Sequence, residues 1–265
     1  MKSVKQETVL LGARWLAIAI LLSVTPLATA HTLINGGPLK EGEQKTLELH
    51  INHGCGGENG GGTVIGTSVV VPDTAGGNVI TVDGQPFDDP DGLGADAFLD
   101  GGVPQVQLPF DRASFDLMGA KKDPDLGNTV GFWAGGGPGV HPSLKGIVRF
   151  IPGGAFFNPE SCAKKVTLRY PVIDVCQVTT VTGFTNDTVQ RWTPKDIGTP
   201  YDTDLEHDAT TARVTYVRDL EINPLPADCG TDRPIQEEVV ITPTAAQITR
   251  DMPVKIDGQQ IWPLP

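Results

Sequence analysis

Between residues 45 and 52 the chain alternates. Leu47, Leu49 and Ile51 fall on one side, and Glu48, His50 and Asn52 on the other. A period of two with one apolar side predicts a strand that lays Leu47, Leu49 and Ile51 on a core and turns His50 outward. Residues 63–71 form a continuous β-branched run stopped by Pro72-Asp73, and 78–82 form a shorter one closed by Asp83-Gly84. Further strands are predicted over 129–133, 146–151, 165–175, 178–181, 211–217 and 237–242, most of them bounded by Gly, Pro, Asn or Asp. Helix is predicted only around 111–121, where Phe115, Leu117 and Met118 are apolar, and around 245–250. Short strands at this spacing predict an all-β fold, an antiparallel β-sandwich rather than a βαβ sheet. No internal repeat or long linker divides residues 31–265, which read as one domain with long Gly/Pro-rich loops.

Composition agrees: 32 Gly and 22 Pro in 265 residues leave little room for long helices. The balance of 20 Lys+Arg against 32 Asp+Glu, a formal charge of −12, argues against a nucleic-acid partner, because phosphate contacts need clustered cations. Residues 1–30 carry Lys2, Lys5 and Arg14, then an apolar run from 16 to 24, then Ala28-Thr29-Ala30. That order is a secretory signal peptide, and the run is short for a membrane span. The expected product is secreted, to the periplasm or the cell surface, with a charge of −14 on 235 residues. Cleavage after Ala30 makes His31 the N-terminus. Its α-amino group and imidazole Nδ1 then chelate one metal ion, with the nitrogen donors that copper prefers.

The four cysteines, Cys55, Cys162, Cys176 and Cys229, read as two disulfides in an exported chain. Three pairings are open; chain order alone favours Cys55–Cys162 with Cys176–Cys229. No Cys-x-x-Cys occurs, and paired cysteines are not thiolate ligands, so a metal must use His, carboxylate or main-chain donors.

The densest constellation is His50-Ile51-Asn52-His53-Gly54-Cys55-Gly56-Gly57, with His53 in a Gly-rich turn pinned by a cysteine. His141 follows a glycine run that begins at Gly131 and carries Trp133, read as a mobile loop able to close over a bound ion. That run lacks the P-loop and dinucleotide fingerprints. Asp202, Asp204, Glu206, His207 and Asp208, and the acidic stretch 88–100, do not match the EF-hand spacing and read as solvated loops. Asn186-Asp187-Thr188 fits a glycosylation sequon. No nucleophile elbow, zincin motif or cysteine-protease signature is present, so the chain is not read as an enzyme.

His31-Thr32-Leu33 behind the signal, the stretch from Leu47 to Cys55, and the strand end Val69-Val70-Val71-Pro72 resemble two groups of exported copper proteins. One is the YcnI-like periplasmic domain, a resemblance confined to about the first forty mature residues. The other is the CorA/MopE type of copper-repressed surface proteins from methane-oxidising bacteria. Residues 160–165, Trp192-Thr193-Pro194-Lys195 and the segment from Asn223 to Gly230 resemble the second group, over most of the mature chain. The resemblance implies a disulfide-bearing β protein that binds copper outside the cytoplasm, with surface or outer-membrane association. In the CorA/MopE type it implies Cu(I) held by imidazoles beside an oxidised tryptophan; carried over by motif, His53 matches, with the loop from Trp133 to His141 a second contributor. The YcnI-like resemblance instead implies His31, with Glu48. The expected function is capture or transfer of copper. The readings kept against it are a metal-free secreted adhesin or structural module and, third, an exported enzyme. A blue-copper oxidase needs a free Cys ligand.

Overall fold

The computed structural model describes residues 31–56, 61–73, 77–203 and 212–265. The predicted signal segment 1–30, Gly57, and Asp204, Glu206, His207 and Asp208 of the predicted acidic loop lie outside the described residues. Residues His31–Pro265 form one compact unit.

The fold is all-β, with one α-helix among the described residues. Three sheets carry it. An antiparallel four-stranded sheet runs Leu33–Asn35, Leu47–Ile51, Gly146–Pro152, Val106–Gln107. A five-stranded antiparallel sheet runs Val189–Trp192, Val172–Val175, Val64–Val70, Thr129–Val140, Leu117–Lys122. A mixed six-stranded sheet runs Leu39–Lys40, Arg213–Val217, Lys165–Arg169, Val239–Thr242, Val79–Val82, Gln85–Pro86, with two parallel pairings. The larger of two cores lies between them. Leu47, Leu49, Ile51 and Phe150 from the first sheet meet Val64, Val69 and Phe132 from the second and Val166, Leu168 and Tyr216 from the third. The Phe132 and Phe150 rings stack with centroids 5.3 Å apart. Each fully buried side chain of this size contributes roughly 1.5–3 kcal/mol.

The alternation over 45–52 places Leu47, Leu49 and Ile51 in the core as expected, but His50 on the other face is only 8% exposed. The apolar run 165–175 is two strands. Pro171 donates no ladder hydrogen bond and fixes its own φ, so the chain turns at Tyr170-Pro171. Lys165–Arg169 stays in the six-stranded sheet and Val172–Val175 joins the five-stranded one. Such a strand that changes sheet is how the layers are stitched.

Three expected elements differ. Residues 111–121 are not helical: Leu117–Lys122 is an edge strand, paired Gly119↔Trp133 and Ala120↔Phe132. Its apolar positions make no sustained helical stripe, and a short isolated helix is marginal, so the sheet ladder wins. Residues 178–181 are not a strand; a 3₁₀ turn occupies Val181–Gly183. The glycine run after Trp133 is not a mobile loop but the continuation of Thr129–Val140, paired to Val64–Val70. The register shifts between Gly135 and Val140, where Gly136, Gly137 and Gly139 hold φ of +80°, +71° and +72°, open only to glycine at low cost.

The disulfides are Cys55–Cys176 and Cys162–Cys229, which corrects the pairing taken from chain order. The first joins the end of the Leu47–Ile51 strand to the end of Val172–Val175, so spatial neighbourhood across the layers decides it. The predicted C-terminal helix is Ala245–Asp251, closed by a capping box between Thr244 and Gln247.

Candidate functional site

Antiparallel pairing of Leu33 with His50 sends the chain before Leu33 along the end of the Leu47–Ile51 strand. His31 therefore lies beside Asn52, whose Nδ2 donates to the His31 carbonyl at 2.5 Å. The next residue, Thr32, is 1% exposed and its hydroxyl donates to Asp174 Oδ2 at 2.5 Å. These two bonds fix the backbone that carries the His31 side chain.

His53 lies at the same end of that strand, two residues past Ile51. Its Nδ1 lies 2.5 Å from the Gly54 carbonyl oxygen, which only accepts, so Nδ1 carries a proton and, in the neutral ring, the lone pair is on Nε2. Two residues on, Cys55 locks this turn to Cys176, and the Cys55 amide donates to the Gly62 carbonyl at 3.2 Å.

Both imidazoles pack against Trp192. His31 meets the indole edge to face at 5.1 Å between centroids and 87° between planes. His53 meets it at 5.9 Å and 79°. Residues that are 22 apart in sequence and lie on different chain segments thus converge on one buried indole. The indole is itself held: its Nε1 donates to Asp174 Oδ2 at 2.9 Å.

Asp174 is the electrostatic floor of the site. It is 1% exposed, and burial raises its carboxyl above the usual value. Hydrogen bonds from Thr32 and Trp192, and the nearby Thr67 hydroxyl and His53, pull the other way without overcoming burial. One oxygen takes both the Thr32 and Trp192 bonds; the other, Oδ1, is buried with no hydrogen-bond partner, as is Asn52 Oδ1. Two unsatisfied oxygens in the residues that hold His31 and Trp192 leave acceptor capacity for a cation or a donor.

The other predicted residues are engaged elsewhere. His50 and Glu48 pair with each other, Nε2 to Oε2 at 3.0 Å, and Glu48 also takes the Arg149 Nε at 3.2 Å. The His50 bond, then that of Arg149, holds the Glu48 carboxyl below its ordinary value against the pull of burial. His50 Nδ1 faces Lys145 Nζ at 3.4 Å. His141 follows the strand end at Val140, and its Nδ1 contacts the exposed Ser143 hydroxyl at 2.7 Å. A Cβ on Gly54 would lie 3.0 Å from Pro142, so the turn carrying His141 packs on the turn carrying His53. Trp133 is not at this site. It packs with Val70, Ile173 and Trp262 in a second, smaller core.

Asp174, Thr32, Asn52 and Trp192 were not singled out as site residues from the sequence. A signal for Asp174 was present: a carboxylate within Val172-Ile173-Asp174-Val175, where an apolar run marks burial. Among the described residues, no group of three or more His, Cys, Asp or Glu side chains gathers as a metal cluster. The arrangement is two imidazoles packed against one indole.

No protein-family model matches the chain, and no curated protein matches it. A solved structure of an uncharacterised protein from Nocardia farcinica, described as having an immunoglobulin-like fold, aligns with 72% of this chain and 99% of its own. The identity is 12% and the TM-score 0.37, a likeness that carries neither topology nor function across.

Proposed function

We propose that this protein binds copper through His31 and His53 beside Trp192, outside the cytoplasm, and that it captures or hands on the ion. The observation that carries this reading is the convergence of the two imidazoles on one indole. The donor set fits the cargo. Copper tops the divalent series for imidazole nitrogen, and two neutral imidazoles suit Cu(I) at low coordination number. His53 offers Nε2 with its tautomer already fixed by Gly54. Cleavage after Ala30 adds the α-amino group of His31 as a third nitrogen. Two further features support the reading. His53 is the motif match to the CorA/MopE type, which also points to the Trp133–His141 loop, and His31 is the match to the YcnI-like type, which also points to Glu48. The two disulfides belong to an oxidising compartment, which accords with export.

The test is an anaerobic Cu(I) titration against a chromophoric chelator, using protein exported with its own N-terminal segment. The wild type is expected to bind one ion. His31→Ala and His53→Ala are each expected to weaken binding at least tenfold, and His141→Ala to leave it unchanged. A variant keeping one extra residue before His31 separates chelation by the amino group from imidazole binding alone. Affinity no higher in the wild type than in the double variant His31→Ala/His53→Ala overturns the copper reading and leaves a metal-free binding module.

A further inference from the structure

The glycine run around Trp133, which the copper site does not use, builds a second site on the five-stranded sheet. Four residues stand in one row across four strands: Leu117 opposite Gly135, Gly135 opposite Gly66, Gly66 opposite Val175. The row ends in two aliphatic side chains and has none in the middle. Because strands lie about 4.8 Å apart, the bare stretch spanning the two middle strands is a flat-floored slot wide enough for a ring. The next row on the same face, two residues along, contains Trp133 opposite Ser68, so the indole walls one side. Val254, Ile256, Ile261 and Trp262 of the C-terminal hairpin line the slot as well. The cavity measures about 290 Å³.

We propose that this slot binds an uncharged, ring-bearing apolar small molecule. Charge selects it: among the described residues no Asp, Glu, Lys or Arg lines the cavity, and the chain carries −12 overall, so an anion is repelled and a cation finds no partner among them. Size selects it as well. The volume is near the lower end for small-molecule sites. The half-exposed aliphatics on the rim, Leu117, Val178 and Ile261, are too few to supply the roughly 1,200 Å² that a stable interface with a second copy needs. The glycines select a flat shape, since any side chain at 66 or 135 would rise from the floor. A Cβ at Gly135 would lie 3.3 Å from the Ile65 carbonyl oxygen, close enough to be accommodated by a small shift, and φ there is ordinary. The slot can therefore be filled by mutation while the strand is kept.

The probe is N-phenyl-1-naphthylamine, uncharged and fluorescent in apolar surroundings, titrated into the full chain. The wild type is expected to give saturable one-to-one binding with a blue shift. Gly135→Leu is expected to bind at least tenfold more weakly while keeping the wild-type circular dichroism. The anionic analogue 8-anilinonaphthalene-1-sulfonate is expected to bind at least tenfold more weakly than the neutral probe. If Gly135→Leu does not fold, Leu117→Ser on the exposed rim takes its place, with a loss of threefold or more expected. Absence of saturable binding, or binding that the folded variants do not alter, overturns the proposal. A concentration-dependent dimer that the probe dissociates also overturns it, by assigning the slot to a second copy. None of these readouts involves copper, so the outcome is independent of the His31 and His53 site.

Discussion

Trp192 and Asp174 stand diagonally across two paired strands, Trp192 opposite Val172 and Asp174 opposite Gln190, with the indole N–H donating to a carboxylate oxygen at 2.9 Å. That oxygen also accepts from the Thr32 hydroxyl at 2.5 Å, so a single atom orients both the indole and the segment carrying His31. Replacing Asp174 by Ala leaves a buried indole N–H and a buried hydroxyl without acceptors. The expected loss is about 2–3 kcal/mol of stability by urea denaturation, together with weaker copper binding. Asp174→Asn keeps an acceptor and is expected to lose less than half as much. Equal losses in the two variants would mean that the charge, not the hydrogen bond, organises the site.

Opening Cys55–Cys176 removes the clamp between the turn of His53 and the strand of Asp174. The bond closes a sequence separation of 121 residues, against 67 for Cys162–Cys229. On the chain-entropy account the Cys55→Ala/Cys176→Ala chain is less stable by on the order of 4 kcal/mol, with the Cys162–Cys229 pair worth slightly less. Only the first loss is expected to loosen copper, because only the first cross-link touches the site. Thermal melts and chelator competition on both double variants check this. A copper loss equal in the two would assign the effect to global stability.

The β architecture was legible because the apolar alternation over 45–52 and the runs at 63–71 and 237–242 are local patterns that only strands satisfy. The helix predicted over 111–121 failed for the opposite reason. Nothing within the segment says that its backbone will find the Thr129–Val140 strand, and that pairing is long-range. The site divides the same way. His31 and His53 stood out as residues, but the indole that both touch belongs to a strand more than 130 positions later, and no spacing rule connects them. Asp174 was hidden because one acidic residue in a run of four looks like a strand end until both faces prove to be covered. Trp133 stood out for its glycines. They mark close strand packing and a slot, not a lid.

At the C-terminus, Thr244 accepts the Gln247 amide at 3.2 Å and Gln247 Oε1 accepts the Thr244 amide at 2.7 Å. Seven residues cannot sustain a helix by propensity, so Ala245–Asp251 depends on this box and on buried Ile248. Thr244→Ala is expected to cost about 1 kcal/mol, and Thr244→Ser almost nothing, by denaturant midpoint. Equal effects would show that the helix is held by packing alone.

Lys121 ties that helix to the sheet, its Nζ donating to the Ser68 hydroxyl at 2.5 Å and to the Asp251 and Met252 carbonyls at 2.7 and 3.0 Å. Enclosure of the ammonium pushes its pKa down to about 7, with Asp251 opposing. An unfolded lysine keeps its proton to about 10.4. Between those values the unfolded chain binds more protons than the folded one, so the contribution of Lys121 to stability rises with pH across that window and is flat below it. Lys121→Met abolishes the titration. The stability of the wild type minus that of the variant is therefore expected to grow from pH 7 to pH 10. Titration of Tyr170, Tyr201 and Tyr216, all raised by burial, is common to both chains and cancels in the difference. A difference that stays level over this range would mean that the three acceptors keep the ammonium charged in the folded state.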